Sequence, residues 1–451
     1  EKKKESKVFA GTINQKGSLE FKAEKVGGDT LLAQIIQMVK DAQGSRAPVQ
    51  KLVDKIAAIF VPIVIGIAVI TFITWLVLGG HNGFTQGLMA MVTVLIIACP
   101  CALGLATPTA IMVGVGKGAA NGILIKDAES LELSKNINVV VLDKTGTLTE
   151  GRPVVTDIYW MDGTGAHADI LYSIEKKSEH PLAEAIVHHL REQKGVAVDK
   201  FENITGQGIK ATVNDRTWLA GNKALMHQYE IDIPPKIEQA AIQWETNAKT
   251  VIYFSDEQAV KAIVGIADKI KPTSGQAVHQ LKQNGIEVYM LTGDNEATAK
   301  AIAKEAGISH YKANVLPDQK LEFIQQLQQQ GKTVAMVGDG VNDSAALAQS
   351  DVGIAMGKGS DIAIESAKMT IVSGDLAKVP EAIRLSRKTV STIRQNLFWA
   401  FIYNIIGIPI AAGVLYPVNG FLLDPMIAGA AMALSSISVV SNSLRLKWAS
   451  L

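Results

Sequence analysis

The chain has 451 residues, enough for about three domains of ordinary size. Its 44 lysines and arginines nearly balance 43 aspartates and glutamates, so a protein that binds nucleic acid through a basic surface is disfavoured. Hydrophobic residues make up 48% and charged residues 19%, which excludes a disordered chain and predicts segments in a membrane. The two cysteines, Cys99 and Cys101, lie too close together for a disulfide framework, and we expect a reducing compartment.

The first predicted helix precedes the membrane. Residues 31–51 are polar with apolar positions at helical spacing. They predict a helical stalk, which we place at residues 33–55.

Four runs lack charged residues and histidine and are long enough to cross a hydrocarbon core of about 30 Å. They are residues 56–80, 83–116, 395–423 and 425–444. We interpret them as two membrane hairpins. Buried core helices of a large soluble protein are the alternative interpretation.

Basic residues flank both hairpins at the ends that join the rest of the chain. These residues include Lys51, Lys55, Lys117, Lys126, Arg384, Arg387, Lys388, Arg394, Arg445 and Lys447. By the positive-inside rule, the hydrophilic stretches and both termini face the cytoplasm.

Three β-rich runs between the hairpins each lead into a loop that carries an aspartate. The runs and their aspartates are residues 137–142 with Asp143, residues 287–291 with Asp294, and residues 333–337 with Asp339. Helical stretches follow the last two runs, at residues 296–306 and 343–349. This alternation predicts a doubly wound parallel sheet, in which the acidic loops converge at the carboxyl ends of the strands.

Carboxylates that converge in this way repel one another unless a cation lies among them, and Mg²⁺ combines carboxylates with phosphate oxygens. The pattern therefore indicates phosphoryl transfer. Asp143 is the predicted nucleophile, Asp339 and Asp343 are the predicted metal ligands, and Lys320 supplies a positive charge.

Residues 152–266 interrupt the sheet between its first and second strands, and so predict an inserted lobe. This lobe contains Ser178-Glu179-His180-Pro181 and the glycine pair of Gly206-Gln207-Gly208. Taken alone, such a glycine pair is usually a turn and such a histidine an ordinary residue.

These motifs together resemble those of a known family. Residues 143–149 (DKTGTLT) resemble the phosphorylation signature of P-type ATPases, and residues 292–294 and 338–343 resemble their hinge and magnesium motifs. Cys99-Pro100-Cys101 and residues 178–182 (SEHPL) look like the heavy-metal branch of that family. The resemblance extends through nearly the whole chain.

The resemblance implies transmembrane α-helices with a haloacid-dehalogenase-like phosphorylation domain and an inserted α+β nucleotide-binding domain. The implied organisation is an actuator remnant (1–32), a stalk (33–55), two membrane helices (56–116), the phosphorylation domain (117–151 and 267–378), the nucleotide-binding domain (152–266), a second stalk (379–394), two membrane helices (395–445) and a cytoplasmic tail (446–451).

The resemblance also implies roles for individual residues. The catalytic set is Asp143, Lys144, Thr145, Thr292, Gly293, Asp294 and Lys320. The implied Mg²⁺ ligands are Asp143, Thr145, Asp339 and Asp343. The implied ATP pocket consists of Glu179, His180, Gly206, Gly208 and Asn222.

A soluble phosphatase with the same catalytic fold is a rival interpretation. Such enzymes carry a second aspartate two positions after the nucleophile as an acid and base. The corresponding residue here is Thr145, which favours a phosphorylated intermediate that persists.

The Cys-Pro-Cys sequence lies in the middle of an uncharged run. Pro100 should disrupt the helix, free backbone carbonyls and turn both thiols toward one point. Thiolates favour soft ions, chiefly Cu(I). A structural pair of small apolar cysteines is the alternative.

The last two membrane segments bear on the choice of metal. Tyr403-Asn404 and Met432 with Ser435-Ser436 resemble the pattern of copper(I) pumps, in which the methionine sulfur is a third ligand. Pumps for zinc, cadmium or lead instead carry an intramembrane lysine and aspartate, which these segments lack. We therefore expect Cu(I) as cargo, with Ag(I) as its mimic. A pump for another soft or divalent metal is the alternative.

The sequence contains no Thr-Gly-Glu tripeptide, which in the family positions the water that hydrolyses the phosphorylated aspartate. We therefore expect a fragment, and a non-pumping nucleotide- or metal-binding protein is an alternative. The resemblance further implies a monomeric, multi-pass protein of a bacterial plasma (inner) membrane. Membrane lipid, ATP and a soluble copper chaperone are its expected partners.

Overall fold

A computed structural model describes residues 20–23, 26, 31–45, 47–204, 206–247, 249–294, 296–339, 341–357 and 365–450. Most of the expected actuator remnant, residues 1–32, lies outside the described residues. The chain divides into two compact units. The helical unit comprises residues 1–137, 368–372 and 378–451, and the sheet unit comprises residues 138–367 and 373–377.

The described helices are numbered in chain order. They are α1 (Leu31–Gly44), α2 (Pro48–Leu78), α3 (Gly83–Ile97), α4 (Cys101–Ala120), α5 (Ala128–Ser134), α6 (Ala168–Glu175), α7 (Pro181–His189), α8 (Lys223–Gln228), α9 (Pro235–Thr246), α10 (Ser274–Gln283), α11 (Glu296–Glu305), α12 (Pro317–Gln329), α13 (Ser344–Gln349), α14 (Lys378–Ala412), α15 (Tyr416–Asn419) and α16 (Pro425–Leu444).

The described strands are also numbered in chain order. They are β1 (Ile123–Ile125), β2 (Val139–Asp143), β3 (Thr149–Trp160), β4 (Lys200–Ile204), β5 (Gly208–Val213), β6 (Arg216–Gly221), β7 (Thr250–Ser255), β8 (Val260–Ile270), β9 (Glu287–Leu291), β10 (His310–Lys312), β11 (Val334–Gly338), β12 (Val352–Met356) and β13 (Met369–Ile371).

Among its described residues, the helical unit contains four segments that are long and apolar enough to cross a membrane. Each overlaps one of the four uncharged runs, which confirms the predicted membrane segments, although the third helix ends at Ala412 rather than at residue 423. Helices α2 and α14 each run without a break across the expected boundaries between stalk and membrane. Pro48 in the first turn of α2 is compatible with a helix start, since its missing N–H has no partner there in any helix.

The helix break at Cys-Pro-Cys is confirmed. Helix α3 ends at Ile97, α4 begins at Cys101, and Pro100 precedes the first turn of α4. Around the break, Ala98 and Ile97 pack with Ile408 of α14 and Met432 of α16. Ala102 and Leu103 pack with Ala400 and Val439 one level further along the same helices. The helical unit therefore has an apolar cluster on each side of the helix break, and α14 and α16 contribute to both.

The sheet unit contains the predicted parallel sheet. Its strands lie in the order β12-β11-β2-β9-β10, and each neighbouring pair is parallel. Strand β2 is central and buried along its whole length. Asp143 at its last position pairs in register with Leu291 at the end of β9, so the loops that follow these strands leave the same edge of the sheet.

The inserted lobe is built on an antiparallel sheet in the order β3-β8-β7-β6-β5-β4. Strands β3 and β8 pair with each other and connect the lobe to the parallel sheet. Helices α6 and α7 cover one face through Leu171, Ile174 and Ile186, which pack against Trp218 and Phe254. The lobe thus has a core of its own.

Candidate functional site

Asp143 is held at the carboxyl end of the central strand. The residue is 6% exposed, because buried neighbouring strands flank β2 on both sides. The chain then turns tightly over Lys144–Leu148, where Gly146 has φ +71°. Only glycine adopts that conformation without strain, so the turn brings the chain sharply away from the carboxylate.

Lys320 joins two of the predicted acidic residues. From the first turns of α12, its Nζ lies 2.5 Å from Asp143 Oδ1 and 2.7 Å from Asp343 Oδ1. All three side chains are less than 10% exposed. A buried lysine of this kind satisfies two carboxylates at once, which removes much of the cost of burying them.

The three carboxylates of Asp143, Asp339 and Asp343 converge as the sequence predicted. One oxygen of each lies within 4.8 Å of the others. Burial and the charge of Asp343 hold the pKa of Asp143 above its usual range, although Lys320 opposes this shift. Three acidic groups against one lysine leave an excess of negative charge and hard oxygen ligands. That donor set fits a Mg²⁺ ion.

A second ion pair joins the phosphorylation loop to the next strand. Lys144 Nζ lies 2.5 Å from Asp294 Oδ2, and the Asp294 N–H donates to Thr292 Oγ1 at 3.1 Å. Gly293 lies between them and is exposed. Thr145, at the position where a phosphatase carries its second aspartate, is exposed. The catalytic set predicted from sequence therefore lies at one edge of the parallel sheet.

The predicted nucleotide residues form two groups in the inserted lobe. Asn222 contacts the glycine loop: its Nδ2 donates to Gly206 O at 3.0 Å, and its Oδ1 accepts from Leu225 N at 3.0 Å. Gly208 has φ +147°, and a side chain there would collide with the backbone of Ala220. This group is built by backbone contacts that require glycine.

Glu179 and His180 form the second group, before α7. His180 Nδ1 accepts from Leu182 N at 3.2 Å and so caps the helix, and both side chains are exposed. Within the described part of the lobe, no hydrogen bond joins this group to the glycine loop. The structure places the two groups in one lobe, and the placement of a nucleotide between them is not tested by these contacts.

Sequence analysis missed Glu175, at the end of α6. This carboxyl is 6% exposed, and burial raises its pKa to about 8. The signal was present in the spacing, because Glu175 follows Leu171 by four positions on the apolar face of α6. A buried acid with a raised pKa, close in sequence to the Glu179 group, is a candidate functional residue.

The cysteine pair differs from the expectation of two free thiolates. Cys99 and Cys101 are joined as a disulfide, with their Cα atoms 5.4 Å apart. The helix break explains this difference, since it turns both side chains to the same point, where oxidation can join them. The bridge spans only two positions and does not constrain the fold as a disulfide framework would. Reduction is therefore required before the sulfurs can bind a metal.

The other predicted membrane residues lie on α14 and α16. Met432 is 7% exposed and packs beside Ile97 and Ala98, the residues that precede Cys99. Asn404 Oδ1 and Ser435 Oγ are buried without a hydrogen-bond partner. Ser436 Oγ donates to Met432 O at 3.3 Å, so its hydroxyl proton is already used in a hydrogen bond. Tyr403 is half-buried.

The register of α14 and α16 indicates that Asn404 and Ser435 lie at the same height along the two helices. Asn396 Nδ2 donates to Ser443 Oγ at 2.8 Å, and Ala400 and Val439 share an apolar cluster. Eight residues further along each antiparallel helix, Asn404 and Ser435 face the same level. Buried polar atoms normally find partners, so this pair suggests a ligand site.

Comparisons with known proteins agree with this geometry. Residues 137–351 match the haloacid dehalogenase-like hydrolase family, and residues 1–40 match the P-type ATPase actuator domain. The chain is 51% identical, over 99% of its length, to a copper-exporting P-type ATPase of Staphylococcus saprophyticus, of which it covers 55%. It is also 51% identical over 99% of its length to a copper-exporting P-type ATPase of Legionella pneumophila, of which it covers 61%.

The chain thus spans a little over half the length of these curated relatives. Among solved structures, a zinc-transporting PIB-type ATPase in its E2.Pi state superposes with a TM-score of 0.76 at 30% identity. That match covers 93% of this chain and 68% of the zinc transporter. The chain therefore belongs to the P-type ATPase family, and within it to the PIB-type branch.

Proposed function

We propose that this chain exports copper(I) across a membrane at the expense of ATP, through a phosphorylated Asp143. The observation that carries the proposal is the buried Asp143 carboxylate at the end of β2, in contact with Lys320 and beside Asp343. The named copper-exporting relatives support the choice of cargo.

In the proposed reaction, an oxygen of Asp143 attacks the γ-phosphorus of ATP. The bond to the β–γ bridging oxygen breaks, ADP leaves, and an acyl phosphate remains on the aspartate. Asp143, Asp339, Asp343 and Thr145 would hold Mg²⁺, which when bound offsets the negative charge of the phosphoryl group. Lys320 supplies a further positive charge that is already in place.

The phosphorylation loop has two supporting contacts in this scheme. Lys144 is held by Asp294, whose own backbone N–H is held by Thr292. This arrangement would fix the direction in which the loop leaves Asp143. Gly293 exposes backbone at the same edge, where nucleotide phosphates can approach. The exposed Thr145 supplies no general base, so the acyl phosphate would persist.

The nucleotide would bind to the inserted lobe. Gly206 leaves open space for close approach of the adenine or ribose, whereas Gly208 allows the close packing against Ala220, and Asn222 fixes their loop. We assign Glu179 and His180 to the same pocket and add Glu175, whose raised pKa leaves the carboxyl largely protonated at neutral pH. A protonated carboxyl can donate a hydrogen bond as well as accept one.

Copper(I) would bind at the level of the broken helix. Reduced Cys99 and Cys101 provide two soft ligands, and Met432 provides a third. Asn404, Tyr403 and Ser436 lie near this level on α14 and α16. Silver(I) should replace copper(I) because it has the same charge and softness.

A divalent cargo such as zinc is the alternative within the branch. The uncharged stretches of α14 and α16, residues 395–412 and 425–444, contain no lysine or acid that could balance a second positive charge. We therefore favour a monovalent ion. We also propose a monomer in a bacterial plasma membrane, which receives copper from a soluble chaperone.

The test is ³²P labelling of the chain in membranes by γ-labelled ATP, with and without copper(I). We expect acid-stable label that rises with copper(I) only in the presence of reductant. Cys99→Ser/Cys101→Ser should remove the copper response, and a Ser438→Ala control on an exposed face of α16 should retain it. Label that ignores copper in every variant would contradict copper as the cargo.

A further inference from the structure

Lys271 lies where β8 leaves the inserted lobe. Its backbone N–H donates to Leu148 O at 3.0 Å. Its ammonium group donates to the carbonyl oxygen of Gly146 and, at 2.9 Å, to that of Gly374. Lys271 is thus a further lysine that contacts the phosphorylation loop.

The Gly146 peptide held by Lys271 packs directly against Asp339. A side chain at Gly146 would collide with the Asp339 carboxylate, and Gly146 already has φ +71°. Movement of this peptide toward Asp339 would therefore displace one of the three carboxylates that meet at the proposed metal site. Lys271 is therefore linked to Asp339 indirectly, through the Gly146 peptide.

Asp268, three residues earlier, secures the other connecting strand. Its Oδ2 accepts from Thr149 Oγ1 at 2.5 Å, and its Oδ1 accepts from Gly151 N at 3.0 Å. The first residues of β3 and the end of β8 are therefore fixed to each other beside the phosphorylation loop. Lys271 therefore follows a segment of β8 that is fixed by hydrogen bonds, and a positioning residue requires such support.

We propose that Lys271 is a positioning residue for the metal site, which holds the Gly146 peptide and thereby keeps the Asp339 carboxylate directed toward Asp143 and Asp343. The proposal rests on the proposed function, which assigns Asp339 to Mg²⁺. Groups that orient metal ligands in this way typically contribute 10-fold to 100-fold to metal affinity.

The test compares Mn²⁺ affinities of the whole chain in detergent, with free Mn²⁺ measured by electron paramagnetic resonance as a replacement for Mg²⁺. Lys271→Met should weaken Mn²⁺ binding by about tenfold or more without lowering the melting temperature. Lys271→Arg should restore most of the affinity. The matched control is Lys269→Met, at an exposed position on the same strand, which should bind like the unaltered chain.

Equal affinity of Lys271→Met and the unaltered chain would overturn the proposal. If Lys271→Met does not fold, Lys271→Gln replaces it, with the same expected loss, since an amide lacks the charge and the reach of lysine. The proposal would also be overturned if Asp343→Ala bound Mn²⁺ as tightly as the unaltered chain does, because the site would then not hold the ion. A chain that shows the Lys271 dependence but accepts no phosphate from ATP would refute the proposed function and leave this inference standing.

Discussion

The two candidate sites of this chain differ in the charge of their buried polar groups. In the sheet unit, buried charges meet one another: Lys320 contacts Asp143 and Asp343, and Lys144 contacts Asp294. In the helical unit, the buried polar atoms of Asn404 and Ser435 have no hydrogen-bond partner. The first site pairs buried charges and keeps an excess of negative charge that a cation can offset, whereas the second leaves uncharged lone pairs unused.

The difference follows from what each site would bind. Buried charges are too costly to leave alone, so a site for phosphoryl transfer holds acids beside a lysine and leaves the remaining negative charge for a metal ion. A soft monovalent ion needs less negative charge around it, and uncharged polar atoms can remain without hydrogen-bond partners at moderate cost.

The largest effect should come from Lys320. Replacing it with methionine leaves two buried carboxylates without their cation, and phosphoenzyme formation should slow by about 10²-fold to 10³-fold. Rapid-quench labelling with ATP measures the rate. Lys332→Met, which removes a more exposed pair with Glu287, should change the rate less than about twofold. A small effect of Lys320→Met would mean that the pairing in the sheet unit is only structural.

The next effect concerns the cysteine pair. Because the disulfide occupies both sulfurs, the oxidised chain should bind copper(I) at least about tenfold more weakly than the reduced chain. Competition with a chromophoric copper(I) chelator measures the affinity. In Cys99→Ser/Cys101→Ser, reductant should have no effect. Tight binding by the oxidised chain would place the copper site elsewhere.

A smaller effect is expected at Met432. Leucine keeps the volume of the side chain but removes the sulfur, and copper(I) affinity should fall about tenfold if one of three soft ligands is lost. Met91→Leu, a partly buried methionine in the same apolar cluster, is the matched control and should leave the affinity unchanged. Equal losses in both variants would indicate packing rather than ligation.

The smallest effect concerns Glu175 and pH. Its pKa in the folded lobe is raised by burial from 4.5 to about 8, so the folded state binds the proton more tightly than the unfolded state. The free energy of unfolding should therefore fall as pH rises from about 4.5 to 8, and Glu175→Gln should remove this decline.

The measurement is urea unfolding of the lobe at pH 5.5 and 8.5, followed by tryptophan fluorescence. We expect Glu175→Gln to be more stable than the unaltered chain by about 1–3 kcal/mol at the higher pH only. Glu184→Gln, at an exposed position on α7, should show no such difference. Parallel curves for the unaltered chain and Glu175→Gln would show that the carboxyl is not desolvated as described.

Much of the sheet unit could be predicted from sequence. Strand β9 has the predicted bounds, and β2 and β11 differ from prediction by one or two residues. The convergence of Asp143, Asp339 and Asp343 follows from the parallel order of those strands alone. The helix break at Pro100 was predictable for a similar reason, because proline removes a backbone donor wherever it falls.

Other features depend on tertiary contacts that local patterns do not contain. Helix α14 runs unbroken from Lys378 to Ala412, since the change from polar to apolar residues alters the surroundings of a helix but not its backbone. Glu175 has the spacing of the apolar face of α6, but its neighbours Lys176, Lys177 and Ser178 indicate a solvated loop, and only the packing of the lobe shows that it is buried. The role proposed for Lys271 depends on a peptide 125 positions away in the chain.

The most direct test of the central claim identifies the residue that carries the phosphate. The chain is phosphorylated with ATP, the acyl phosphate is reduced with labelled borohydride, and the labelled peptide is sequenced. We predict label at Asp143, as homoserine, and none in Asp143→Asn. Label at another residue, or undiminished phosphorylation of Asp143→Asn, would contradict the account.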